Sequence, residues 1–397
     1  MIDDDLLDDA EQLAELDSSQ TLRSLAMAGA SVRMAIEGFS PPARLVGDGK
    51  PRSVLVAGLG GSAIVADALA ALAGPASPVP VTSRRGGPLP GWIGALDLVI
   101  AVSMSGRAPQ VIGLAAEAAR RGARVFAVSM EGSPLAELVE RTGGALWPLR
   151  PSGLPDSPGL QTRSGMWSLL TPVLAVADAL GLVDVRPDSF AEAADRLDAE
   201  AEACRPSSPG FVNPAKSLAA ELDGAVPIVL ADGDMAAAAA ARTTSMLARS
   251  ARVPAVRGTL PDDASDVVAL FDGPLSGRDR DVFADPFLDG PAAPTLRLLV
   301  LSDRGGTMAP SIPMGADPAE VVGAAASTPL DPVRDLAERV GVRVSSVTAD
   351  PGSPLARLAQ LIARCDFAAT YLALGNGLDP GRSPSLADLR DRWRDGD

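Results

Sequence analysis

The sequence predicts an α/β protein made of two parallel-sheet αβα sandwiches. Short apolar, β-branched runs alternate with helical stretches, which is the pattern of parallel strands covered on both faces. The alternation occurs twice, in halves of comparable size. In the first half, Val54 to Ala70, VLVAGLGGSAIVADALA, reads as a buried strand, a glycine turn and the opening of a helix.

Taken in order, residues 1–48 form an acidic helical segment. A loose stripe of Leu6, Leu7, Leu13, Leu16, Leu22, Leu25 and Met27 packs it on the first domain, and Ser40-Pro41-Pro42 ends it. The first domain, 49–190, holds strands at Val54–Ala57, Pro78–Ser83, Leu96–Val102 and Arg124–Ser129. Helices are expected at Ala108–Gly122, which closes on a cationic turn and a glycine, and at Pro134–Arg141. Pro151–Thr162 is a Pro/Gly/Ser-rich loop, and Met166–Leu182 is a helix so apolar that it must lie between domains or subunits. An amphipathic acidic helix follows at Asp188–Cys204, then a linker at Arg205–Gly210.

The second domain, 191–397, repeats the alternation. Its strands are Val226–Leu230, Arg252–Val256, Leu296–Leu301 and Val342–Val347. Its helices are Asp234–Ser250, Asp262–Leu270, Asp331–Val340, Pro354–Gly375 and Ser385–Trp393. Pro274–Pro294 is a surface excursion. An internal duplication fits this plan, with the glycine turn reduced to Ala231-Asp232-Gly233-Asp234 in the second half.

Composition narrows the chemistry. With 47% apolar and 21% charged residues over 397 positions, the chain is globular. The Ala-rich Met235–Ala241 is too short to span a bilayer, and Asp3-Asp4-Asp5 is not the basic start of a signal peptide. A cytoplasmic protein without membrane association is therefore expected. A net charge of −15 disfavours a nucleic-acid partner. Cys204 and Cys365 are too few for a disulfide framework, which leaves at most one bridge. The chain has no histidine, so the commonest neutral-pH acid/base and metal ligand is missing, and no metal or cofactor is expected.

Two loops carry the candidate site. Gly58, Gly60 and Gly61 let the backbone turn tightly, and Ser62 stands where the next helix begins, placed either to cap it or to hold an anion. Ser103-Met104-Ser105-Gly106-Arg107 follows a strong strand and precedes a helix. This second loop reads as a capped turn or as the other side of a shared anion site, with Arg107 either contacting the anion or solvated. Arg163 enters the apolar Met166–Leu182 helix and needs either an ion-pair partner or a ligand.

GLGGSA at Gly58–Ala63, SMSG at Ser103–Gly106, NPAK at Asn213–Lys216, RVP at Arg252–Pro254 and SPLARLAQLIARCDFAATYLAL with GLDP at Ser353–Pro380 follow one another along the chain. This motif order resembles the bifunctional phosphoglucose/phosphomannose isomerases of the sugar isomerase (SIS) superfamily. The composition, with Lys50 and Lys216 the only lysines, fits a divergent branch from a GC-rich genome. The resemblance implies two SIS domains, a homodimer and a hexose 6-phosphate ligand. Its phosphate would be held around Gly60, Gly61, Ser62, Ser103, Ser105 and Arg107. Arg163 matches an arginine that stabilises the enediolate, whereas a threonine expected after the second loop is Ala108.

The proton-transfer end departs from the family. Counting back from Val253-Pro254, the expected glutamate falls at Arg249 or its neighbours Ala248 and Ser250, and the expected histidine falls at Ser265. Arginine cannot act as a base near neutral pH. Asp262, Asp263 and Asp266 lie in the histidine's segment, and Asp262 or Asp266 serves as a substitute base only if buried enough to raise its pKa. Otherwise these aspartates are an acidic helix start. Two functions follow: an aldose–ketose isomerase of the family type, or a non-catalytic sugar-phosphate-binding protein that has lost the acid/base pair.

Overall fold

The computed structural model describes residues 2, 4–47, 49–150, 163–276, 294–303 and 329–395. The Pro151–Thr162 loop and most of the Pro274–Pro294 excursion lie outside them. Two all-parallel sheets organise the chain. The first contains β1 (Val54–Gly58), β2 (Val81–Arg84), β3 (Leu98–Ser103), β4 (Arg124–Met130) and β5 (Ala145–Leu149), in the order β2-β1-β3-β4-β5. The second contains β6 (Ala225–Asp232), β7 (Val256–Thr259), β8 (Thr295–Ser302) and β9 (Arg343–Thr348), in the order β7-β6-β8-β9. The second order reproduces the first four positions of the first, as a duplicated unit would.

Strand alternation divides the core into layers. In the first sheet Leu55, Ala57, Val99, Ala101 and Val125 pack under the Pro109–Arg120 and Pro134–Arg141 helices. In the second, Ile228, Leu230, Leu298 and Val300 meet Val267, Phe271, Val333 and Ala337. The opposite faces, with Val54, Val56, Ile100 and Phe126 from one sheet and Val229, Ala231, Leu299 and Leu301 from the other, belong to one shared core. Each of the larger side chains among them contributes roughly 1.5–3 kcal/mol when fully buried, so the two halves are joined through apolar surface. The helices Met166–Ala179, Asp234–Met246 and Pro354–Gly375 fill this layer, the last buried along almost its whole length.

The N-terminal helical segment is not one continuous helix. It breaks into Asp4–Asp8, Ala10–Leu16, Thr21–Ala26, Ala28–Ile36 and Ala43–Val46, and it packs beyond the first sheet. Arg33 bonds Asp195 and Asp198 on the Pro187–Ala203 helix at 2.6 and 2.7 Å, and Ser18 donates to Asp379 at 2.6 Å. Its leucines find their apolar partners on helices that come later in the chain.

The NPAK motif is a structural joint. Asn213 caps the Pro214–Leu222 helix by accepting from the Ala215 and Lys216 amides. Lys216, 1% exposed, donates to the Pro206 and Ser208 carbonyls, both at 2.8 Å, and lies 5.6 Å from the Tyr371 ring centroid. Cys204 and Cys365 are both free and buried.

Candidate active site

β1 and β3 are neighbours, with Gly58 level with Val102, and the chain leaves β1 toward β2 on one side and β3 toward β4 on the other. A crevice therefore opens beyond their carboxyl ends, where parallel α/β sheets bind ligands. Both candidate loops sit there. At Gly58 an added Cβ would lie 2.9 Å from Val102 Cγ2 and 3.0 Å from the Ser62 carbonyl oxygen, so close packing requires the glycine. Gly60 has a φ of +62° and opens the 3-10 turn Gly60–Ala63, which runs into the Ile64–Ala73 helix. Neither Leu59 nor Ala63, the residues that precede them, caps the turn or the helix with its side chain. Ser62 is buried, Gly61 half-buried and Gly60 exposed.

In the second loop, buried Ser103 accepts from the Gly106 amide at 3.1 Å. Ser105 and Arg107 are exposed, and Ser105 Oγ accepts from the Arg107 amide at 3.4 Å. Gly106, with φ +63°, lies against Ser133. Gly60, Gly61 and Ser62 thus follow β1, while Ser103 ends β3 and Ser105 follows it, at the carboxyl ends of neighbouring strands. Such a place suits an oxyanion.

The corresponding crevice of the second sheet, between β6 and β8, is built differently. Asp303 accepts from the Met235 amide at 3.2 Å, at the start of the Asp234–Met246 helix, and Asp232 accepts from Ser302 at 2.9 Å. Carboxylates of the chain itself meet that helix start, so the two crevices are not equivalent for an incoming anion.

Arg163 is 1% exposed. Its Nη1 donates to the Gly381 carbonyl at 3.1 Å and its Nη2 to the Arg249 carbonyl at 2.7 Å. Arg163's own carbonyl accepts from Arg242, which forms a buried ion pair with Asp366 at 2.9 Å. Arg249 belongs to a wide helical turn, Leu247–Ala251, and its Nη2 lies 3.1 Å from where a Cβ on Gly60 would stand. Sequence reading missed this approach, because the two residues come from different halves and share no motif.

Asp262, Ser265 and Asp266 follow β7, the edge strand of the second sheet, and all three are exposed. Asp263 accepts from the Thr259 amide at 2.7 Å and so stabilises the turn. The burial required of Asp262 or Asp266 as a base is not met: the short Ala264–Leu270 helix turns only Val267 fully inward.

The model of the bacterial phospho-glucose isomerase C-terminal SIS domain matches residues 211–393. A bifunctional phosphoglucose/phosphomannose isomerase from Caldicellulosiruptor bescii is 29% identical over 202 residues, which are 51% of this chain and 57% of that protein. Residues 211–393 are thus similar to the C-terminal SIS domain of bacterial phospho-glucose isomerases. The alignment spans a little over half of that relative's length. Solved structures share the two-sheet fold over nearly the full chain. A hypothetical protein from Thermus thermophilus has a TM-score of 0.64 at 16% identity, covering 98% of this chain and 94% of its own. A glucose-6-phosphate isomerase like protein from the same organism has 0.51 at 17%, covering 96% and 99%. A glucosamine-6-phosphate deaminase from Thermotoga maritima has 0.58 at 12%, covering 92% and 98%. At these identities the solved structures speak for the fold alone. Among the described residues, no helix is long and apolar enough to cross a membrane.

Proposed function

We propose that this chain is a phosphosugar isomerase that holds a hexose 6-phosphate by its phosphate in the β1/β3 crevice. The observation that carries the reading is the pairing of two serine- and glycine-bearing loops at the first sheet's switch point, where neither Leu59 nor Ala63 caps the helix start. In it, Gly60, Gly61, Ser62, Ser103 and Ser105 surround the phosphate and Arg107 adds charge from the rim. The sugar carbons then extend away from β1, and isomerisation moves a proton between C1 and C2 through an enediolate. Arg163 is assigned to that enediolate by resemblance. Its bonds to the Arg249 and Gly381 carbonyls favour a positioning role, holding the turn that faces the crevice.

A second reading, a non-catalytic sugar-phosphate-binding protein, is favoured by one specific set of residues. The chain has no histidine, Arg249 (or its neighbours Ala248 and Ser250) and Ser265 stand where the resemblance expects the acid/base pair, and Asp262 and Asp266 are exposed. Proton NMR with fructose 6-phosphate in D₂O separates the two. Aldose product carrying deuterium at C2 is the isomerase result. Saturable binding with neither product nor label makes this a binding protein, and absence of binding removes both readings. A cytoplasmic homodimer completes the proposal, and sedimentation of the purified chain tests the dimer.

A further inference from the structure

We propose that Arg249 closes the phosphate cradle from the second half of the chain, so that one dianionic phosphate monoester is gripped by both halves. The inference rests on the reading that the phosphate sits at Gly60–Ser62. Arg249 Nη2 approaches the Gly60 turn so closely that a Cβ there would stand 3.1 Å away. Gly60 is exposed and at φ +62°, and this guanidinium lies on the side of its backbone where a side chain would stand.

The base of the Arg249 side chain is fixed on several sides. Its carbonyl accepts from buried Arg163 at 2.7 Å, the Leu247 carbonyl accepts from Val253 at 3.0 Å, and Arg252 turns the chain in the left-handed region at φ 60°. The Asp234–Met246 helix that carries the turn packs against the Ile64–Ala73 helix that the Gly60 loop opens. Arg249 is therefore held beside the cradle by packing between the two halves.

A guanidinium presents paired N–H donors to a phosphate and remains charged at any physiological pH. At or beside the position where the resemblance expects a carboxylate base, this chain places a permanent cation close to the Gly60 turn. An arginine there cannot serve as a base and adds affinity for phosphate. It also ties ligand binding to the junction between the halves, so a bound phosphate monoester stabilises that junction by mass action.

The test is calorimetric titration of the full chain with fructose 6-phosphate and, separately, with inorganic phosphate. Wild type is compared with Arg249→Gln, Arg249→Lys and Ser62→Ala, each first checked for native circular dichroism. Loss of one charged hydrogen-bond donor predicts that Arg249→Gln weakens both ligands on the order of 10- to 100-fold. Arg249→Lys should retain part of the affinity, and the salt dependence seen in wild type should flatten in Arg249→Gln. Wild-type affinity in Arg249→Gln, with Ser62→Ala weakened, overturns the role of Arg249 and leaves the cradle standing. Failure of wild type to bind either ligand overturns the cradle reading and the inference together.

Discussion

Arg163 and Arg249 meet across the two halves of the chain: Nη2 of Arg163 donates to the Arg249 carbonyl at 2.7 Å, and the Arg249 guanidinium returns to Gly60. A residue at the entry to the first half's apolar helix thus sets the backbone of a turn in the second, and that turn reaches back over the first half's glycine loop. The Arg242–Asp366 pair lies directly behind this link, since Arg242 also donates to the Arg163 carbonyl.

Asp366→Asn should therefore destabilise the fold strongly. Arg242 is 3% exposed, and removing its counter-charge leaves a buried cation uncompensated, at a cost of about 3–5 kcal/mol. Guanidinium chloride unfolding measures the loss. The paired change Arg242→Met with Asp366→Leu should lose much less, because no charge is left buried. Equal unfolding midpoints for wild type and Asp366→Asn would remove the pair from the structural account.

Gly106→Ala should damage the second loop. At φ +63° an added Cβ would stand 2.0 Å from Ser133 Oγ, and Ser133 caps the Pro134–Arg141 helix. Backbone strain and a displaced cap together predict about 2–4 kcal/mol of destabilisation, with weaker fructose 6-phosphate binding. Gly113→Ala is the control. It lies within the Pro109–Arg120 helix with nothing near its Cβ position, and it should be neutral or stabilising by up to about 1 kcal/mol.

Glu117 supplies a pH test. Arg120 and Arg121 donate to its carboxylate at 2.6–2.7 Å and hold its carboxyl down at about 2. The folded pKa is below the unfolded value near 4.5, so the stabilisation is complete above pH 4.5 and disappears as pH falls toward 2. Urea midpoints measured across that window should fall less steeply for Glu117→Gln than for wild type. Parallel curves would mean that solvent screening cancels the interaction.

Thiol labelling should find nothing in the native protein. Burial pushes both Cys204 and Cys365 up to about 12, and neither is bridged. A disulfide reagent at pH 8 is expected to modify no thiol in the folded chain and both after unfolding. Rapid reaction of the native protein would show that the Pro187–Ala203 and Pro354–Gly375 helices open readily.

The strands of both sheets illustrate what local pattern can and cannot specify. The Pro134–Arg141 and Pro354–Gly375 helices form at the residues expected, each opened by a serine cap and an N-terminal proline. β5 escaped notice because Ala145–Leu149 contains Pro148, tolerated only because the strand lies at the sheet edge. β7 begins at Val256 rather than Arg252, since the preceding helix extends through a wide turn to Ala251 before Arg252 reverses the chain. The two sandwiches meet in a shared core, because each sheet has a second apolar face and the apolar helices cover both.

The sequence by itself determined the α/β class, the two-fold alternation and the two loops at strand ends, because hydrophobic periodicity and glycine turns act over a few residues. Tertiary structure alone decided that those loops share one crevice, that Asp303 meets the helix start at the other, and that Arg163 anchors Arg249 above Gly60. Those relationships join residues far apart in the chain. They arise only when two sheets bury their facing surfaces in one core, and packing of that kind leaves no periodic trace in the residues it brings together.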